Sequence, residues 1–583
     1  MKIPNSSGEI TLSYFKDLYE NAKMHYSETL ASHEKHMSQY KGSPEIDNSS
    51  VKASTVRNIT YEMIESQVSS DIPMPKVEAA CYSERKDRCA RSVERLLWSV
   101  RDRLPFEEMN DIDERYTYIY GGSVWYAEWD NEMKRGREVG GVRVYCLPPR
   151  CFVPQPGITS TDDMEYCFLT FTTTKHELAR RYGVSYEDTE RAETVGGDGE
   201  CAEVIVTLFR DEDGEIGKFV FSGDLTLKDM PKTYHRKKQV CSKCGKDEWE
   251  CRCKEKSFRS VNIDFEEISD NITLSDGFVI SADKASPYFG KGRVPYYTPR
   301  TLPVVIRKNT SGDGMLFGQS DCEYVRPQQQ AINKVESRIL EKLLRAAVTP
   351  IMPEDATITP TSTVFGQVIR MKPGESAAQY GKVDTTPDIT QDVIEAERLY
   401  DHAKRLLGIS DALQGLDTLK NESGYSRQLR ISQASGRLES KRRMKNNAYA
   451  RLDRIIFELY LAFADEPREL IFRDAYGRVH NACFNKYDFV ELDSTTGEYV
   501  FSDDYLFSAD QNGANEYKRE ALWERNLENL KAGTLGPPDS NVTLLRYWQC
   551  QERAHYPYAR ENVEYFRLAL EGEEVLDHGE ENY

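Results

Sequence analysis

Residues 320–347 read SDCEYVRPQQQAINKVESRILEKLLRAA. Ile332, Val335, Ile339, Leu343 and Ala346 recur at helical spacing, one apolar stripe on an otherwise charged rod. The stretch predicts a long helix, ended before Pro350, Pro353 and Pro360. Residues 348–387 then read as a small β-containing insert with Gly and Pro turns. A second helix is expected from about Ile389 to Leu407, along Val393, Ala396, Leu399, Ala403 and Leu406, and Gly408 stops it. Two helices flanking a small insert can run antiparallel and carry the insert at their far end. The linker ISDALQGLDTLKN leads into a third helix, about 422–464, far longer than average. Gly424 and Gly436 are the places where it kinks cheaply.

Upstream the pattern is mixed. Leu18, Ala22 and His25 suggest a short N-terminal helix, followed by a Ser/His/Lys-rich stretch in which His33 and His36 read as solvated. NITYEMIESQV ends a helix before Pro73 and Pro75, and residues 83–104 form a strongly amphipathic one through Cys89, Val93, Leu96, Leu97 and Val100. Strands are expected at 123–129, 142–147, 166–171, 204–209 and 218–221, the last two joined by a DEDGE hairpin turn. That turn lacks the later ligands of a calcium loop. A short helix at 175–183 closes on Gly183. Beyond Pro467, IFRDAYGRVH and YDFVELDSTTGEYVF read as hairpins. A helix follows, closed by Gly533 and Gly536, then a last helix near 558–571 and an acidic tail. The fold class is therefore α+β, and 583 residues imply two to four domains.

Composition narrows the function. The chain carries 77 Lys and Arg against 96 Asp and Glu, a net charge of −19, so it either avoids DNA or lets DNA pass without adhering. No stretch of about 18 apolar residues is present to span a bilayer. The beginning MKIPNSSGEITLSYF has no apolar signal core, so secretion is not expected. Thirteen irregularly spaced Cys suit a reducing compartment. Walker A, HExxH and GxSxG sequences are missing, so the expectation is a protein that is not an enzyme.

One motif carries sharp chemistry. Cys241, Cys244, Cys251 and Cys253 give C-x2-C-x6-C-x-C within thirteen residues. Four soft thiolates at this spacing suit a closed, structural zinc site, with His235 as a substitute ligand. A second feature is local charge. Between Gly424 and Arg454 stand nine Lys and Arg (Arg427, Arg430, Arg437, Lys441, Arg442, Arg443, Lys445, Arg451, Arg454) against Glu439 and Asp453, a local +7. Attraction to DNA or to an acidic neighbouring subunit, and a plain solvated helix face, are both open readings.

The order of these parts resembles the portal proteins of long-tailed bacteriophages. LPVVIRKNTSGDGMLFGQSDCEYVRPQQQAINKVESRILEKL is similar to that family's approach to its first stem helix, with Phe317, Gly318, Ser320, Asp321, Glu323, Gln328, Gln330 and Asn333 in matching places. DALQGLDTLKNESGYSRQLRISQASGRLESKRRMKNNAYARLDRIIFEL is similar to its tunnel loop and long kinked helix. The resemblance covers about 56–470. The Cys cluster departs from it, and the region after 470 matches only loosely.

The resemblance implies a wing at 1–318, within which the Cys motif reads as a zinc-ribbon-like insertion at about 235–256. A stem helix (319–347), a clip (348–387), a second stem helix (388–408) and a tunnel loop (409–422) follow. A long kinked helix (423–465), wing return strands (466–510) and a mostly helical crown with an acidic tail (511–583) complete the chain. It implies a dodecameric ring at one capsid vertex of the virion, assembled in the bacterial cytoplasm, through which double-stranded DNA is packaged and ejected. Implied partners are the terminase large subunit, head–tail adaptor, scaffold and major capsid protein, with no membrane. Gln414, Lys420 and Asn421 are the tunnel-loop candidates for facing DNA, and Lys334, Arg338, Lys342 and Arg345 the stem candidates. For these stem cations, pairing with Glu336 and Glu341 across subunits is the competing expectation. The rival function is a zinc-ribbon nucleic-acid-binding regulator, carried by the lysines and Arg252 around the Cys cluster.

Overall fold

The computed structural model describes residues 8–43, 55–81, 83–136, 138–196, 199–242, 253, 258–268, 290–312, 314–345, 348–351, 381–384, 387–409, 436–473, 479–493, 495–510 and 516–553, with short pieces at 271–286 and 556–570. Two compact units emerge: Met1–Ser70 with Val77–Phe507, and Asp71–Lys76 with Ser508–Tyr583. Helices and strands are mixed throughout, so the α+β class holds.

The larger unit begins with two helices, α1 (Gly8–His25) and α2 (Ser27–Tyr40), where the sequence suggested one short helix and a polar stretch. Phe15, Tyr19 and Ala22 of α1 are buried on Val153, Phe168, Ile205, Phe209, Phe219 and Phe221. Those residues belong to an antiparallel sheet with strand order Phe152–Pro154, Tyr166–Thr174, Cys201–Arg210, Ile216–Ser222, Leu225–Met230. Each large apolar side chain buried this way stabilises by about 1.5–3 kcal/mol, enough to hold a helix that has little amphipathic character of its own. The DEDGE turn closes as expected: the Asp211 carboxylate accepts from the backbone N–H groups of Asp213 and Glu215.

A second sheet of three strands, in the order Val304–Lys308, Gly122–Arg135, Glu138–Leu147, forms the centre. Trp125 and Tyr126 lie in its middle strand, fully buried, paired with Val305 and Val304. Of the helices α3 (Ile59–Glu65), α4 (Glu84–Arg103) and α5 (Phe106–Tyr120), α5 packs on it, and α6 (Lys175–Tyr182) follows, capped by Thr174 and closed by Gly183 with φ 65°. The helix α7 spans Asp321–Arg345 and α8 spans Thr390–Leu407. Between them in sequence, Val348–Ile351 pairs antiparallel with Gly381–Asp384. The long helix α9 is described over Gly436–Phe463; the expected first part, with Gly424, lies outside the described residues. The two late hairpins appear as Arg468–Arg473 with Val479–Phe484 and Val490–Leu492 with Tyr499–Phe501.

In the smaller unit Glu516–Lys531 packs with Asn541–Arg553, a helix that the sequence reading passed over. Gln551, 1% exposed, donates to the carbonyl of Trp523 and to the Tyr547 hydroxyl. Gly533 and Gly536 stand after the first of these helices with positive φ, where the sequence expected its end.

Candidate functional site

The hairpin of α7 and α8 is fixed at its base by a backbone crossing. Gly121 has φ 87°, and a Cβ there would fall 2.1 Å from the Gly318 carbonyl oxygen. A Cβ on Gly318 would in turn fall 2.5 Å from the Thr310 oxygen. The segment Phe317–Asp321 thus needs glycine where it passes the end of α5. Ser320 then donates to the Ile119 carbonyl at 2.5 Å and accepts from the Cys322 N–H at 3.0 Å. Asp321, in the first turn of α7, accepts from Gln67, Asn309 and Lys441 at 2.7–3.0 Å. Along the helix, Gln329 accepts from the Thr60 N–H and donates to the Arg57 carbonyl and to Asn333, which ties α3 to α7.

The two helices run antiparallel. Ile332 and Val325 pack with Ala403, Leu407 and Ile409, whereas Lys342, nearer the far end, meets Asp392. Of the stem candidates, Arg338 and Lys342 both clamp Asp392, Lys342 at 2.5 Å. They bind within the hairpin; Glu336 instead meets Arg57 at 3.7 Å. Lys334 is exposed, and Arg345 is the last residue of α7. The Asp392 carboxyl sits below its usual range because Lys342 donates to it, an effect that outweighs burial. The apolar stripes are only partly used. Ile332, Ala396 and Ala403 are buried, but Leu343, Val393 and Leu406 of the expected stripes are 49%, 43% and 53% exposed, with Leu344 at 71% and Ile394 at 55% beside them.

Beside that base lies a buried ionic cluster that the sequence reading missed. Arg307, in the edge strand of the three-stranded sheet, is 1% exposed and pairs with Asp113 and, at 2.8 Å, with Glu114. Lys445 of α9 reaches the same Glu114 at 2.9 Å. Asp113 also accepts from Ser123 and, at 3.0 Å, from the Trp125 indole. A turn of α9 earlier, Lys441 meets Asp321 at 2.7 Å, and two turns later Asp453 receives Arg101 at 2.7 and 2.9 Å. Burial would raise the Glu114 carboxyl, but Arg307 and Lys445 hold it below the ordinary range. Every carboxylate here faces a cation, the condition under which buried charge is tolerated. One signal for Arg307 was present in the sequence. It stands two residues after the apolar Val305, and so on the same face of its strand.

The basic helix is therefore partly an internal counter-ion strip. Lys441 and Lys445 point into the protein, while Arg443, Arg451 and Arg454 pair with Glu439, Asp162 and Glu458. Arg427 and Arg430 lie outside the described residues.

The Cys cluster is seen at its base. Arg236–Cys241 pairs with Phe258–Ile263, placing Cys241, 1% exposed, opposite Phe258 at the end of a hairpin. Cys253 is half-buried; Cys244 and Cys251 lie outside the described residues, as do Gln414, Lys420 and Asn421. Among the described residues no group of three or more His, Cys, Asp or Glu could hold a metal. His235 does not join the Cys cluster. Its ring nitrogens lie 2.8 Å from Glu215 and from Asp264, at the opposite end of the strand from Cys241. The solvated reading of His33 and His36 is also overturned: both are buried, at 3% and 4% exposure, with His33 against Tyr120 and Phe317. Polar neighbours in sequence misled because their partners come from α5 and the Phe317 segment.

No protein-family model matches this chain, and no curated protein matches its sequence. Among the described residues no helix is long and apolar enough to cross a membrane.

Proposed function

We propose that this chain is the subunit of a portal ring, a structural channel for double-stranded DNA at a capsid vertex. The observation that carries the reading is the α7–α8 hairpin. It rises from a rigid, ion-paired base, encloses a small paired-strand insert, and leaves Leu343, Leu344, Val393, Ile394 and Leu406 exposed. Apolar residues gathered on one helical hairpin favour contact with neighbouring copies, and repetition around an axis closes a ring. The net charge of −19 suits a conduit that DNA traverses without sticking. Zinc, held by Cys241, Cys244, Cys251 and Cys253, has a structural role in this reading, and the terminase and head–tail adaptor dock on the insert end. Light scattering combined with negative-stain images tests it. A particle near twelve times 67.0 kDa with a central hole is expected. Particles without a hole, or a monomer that persists when scaffold is supplied, overturn the reading.

A further inference from the structure

A groove of about 640 Å³ opens on the larger unit between the middle of α9, the edge strand Val304–Lys308 and the Thr159–Thr161 loop. Its apolar floor is Ile306, Leu316, Met444, Tyr505 and Phe507, and Leu506, 59% exposed, stands at its margin. The walls are polar in a one-sided way. Ser160, Thr161, Ser311 and Asn447 supply neutral donors, and Lys308, Arg451 and Arg454 supply cations.

The cations are unequally compensated. Arg451 is bound on one side, by Asp162 at 3.2 Å and the Thr161 hydroxyl at 3.1 Å, yet remains 55% exposed. Arg454 shares Glu458 at 3.0 Å and is 50% exposed. Lys308 differs. Its ammonium donates at 3.3 Å to two backbone carbonyls, those of Thr159 and Met315, and among the described residues it meets no carboxylate. Burial and the neighbouring Arg451 both lower its pKa, as expected of a cation that lacks a counter-ion.

We propose that this groove is a docking site for an acidic peptide segment of another protein, one bearing a bulky apolar side chain beside its carboxylates. The apolar residue fills the floor and a carboxylate completes Lys308 and Arg451. Charge complementarity selects the occupant. A groove with one uncompensated cation and an apolar floor is too weakly positive to grip a duplex, which needs several neutralised phosphates. It matches one or two carboxylates next to an apolar anchor, and its volume lies in the range of small-ligand clefts.

Fluorescence anisotropy tests it with the full-length protein and a labelled peptide of glutamates and aspartates around a single phenylalanine. Saturable binding is expected. Arg451→Glu, at an exposed position, and Lys308→Met should each weaken it about ten-fold or more. A peptide with serine in place of phenylalanine should bind less well by a similar factor. Both variants should keep the wild-type circular dichroism spectrum, and an unfolded Lys308→Met leaves Arg451→Glu to decide. Equal binding by wild type and Arg451→Glu overturns the proposal. So does equal binding of the two peptides, or displacement of the peptide by a short DNA duplex. Because the readout does not depend on particle mass, failure here is distinct from failure of the ring.

Discussion

Arg307 shows what a single residue does in this fold. It is one of the largest fully buried side chains, and it is the guanidinium that two adjacent buried carboxylates, Asp113 and Glu114, share. Arg307→Met keeps much of the volume but leaves those charges with Lys445 alone. The expected loss is about 3–5 kcal/mol, read as a lower urea midpoint. Glu128 makes a complementary pH prediction. Burial would raise its carboxyl, but Lys218 and Arg181, both at 2.7 Å, hold it at about 2 against an ordinary 4.5. A depressed carboxyl stabilises above its unfolded value and loses that contribution as pH falls from 4.5 towards 2. Glu128→Gln should therefore cost about 3 kcal/mol at neutral pH, and the gap to wild type should shrink near pH 3 in urea titrations. Neither network was legible in the sequence. Arg307 and Asp113 are 194 positions apart, and spacing patterns report only neighbours along one helix or strand.

At the scale of elements, the sequence foretold type and extent better than surroundings. The stripe Ile332–Leu343 and the stop at Gly408 placed α7 and α8 within a few residues, because helical periodicity and a left-handed closing residue are local facts. The stretch of α2 reads as polar and helix-like, but its burial was not legible because it comes from distant partners. Its two histidines now make a prediction. His33 and His36 are held neutral by burial, with Arg326 also disfavouring a charge on His36, and both lie at about 4 against an ordinary 6.5. Both nitrogens of His36 are buried and meet no hydrogen-bond partner among the described residues. A depressed base gives full stability above 6.5 and loses it as pH falls towards 4. His36→Leu should remove part of that acid sensitivity, so its urea midpoint should gain on wild type as pH drops through this window. The zinc expectation, which rests on the spacing of Cys241, Cys244, Cys251 and Cys253, makes a further prediction. Purified protein should carry about one zinc per chain by elemental analysis, and Cys241→Ser with Cys244→Ser should lose it while the rest of the fold persists. Wild-type protein purified without metal would remove zinc from the account.

For the whole molecule the decisive question is where the charge and the apolar surface go. Among the described residues the buried charges are Arg101, Arg307, Lys404, Lys445, Arg468 and Lys486 against Asp113, Glu114, Asp321, Asp392, Asp453 and Glu458, six of each sign, so burial there does not offset the chain's excess of −19. A surface that acidic resists crowding against copies of itself unless apolar contact outweighs the repulsion. In the ring proposed above, the exposed side chains of the α7–α8 hairpin are where such contact is expected. Ile394 and Leu406 are each more than half exposed, so replacing them should leave the subunit's own core intact. Ile394→Asp with Leu406→Asp is expected to preserve the circular dichroism spectrum and the urea midpoint within about 0.5 kcal/mol while abolishing the ring in light scattering. If rings persist, the hairpin faces solvent and subunits join through another face. If the midpoint falls sharply as well, the two side chains support the subunit itself, and their exposure ceases to argue for a neighbour.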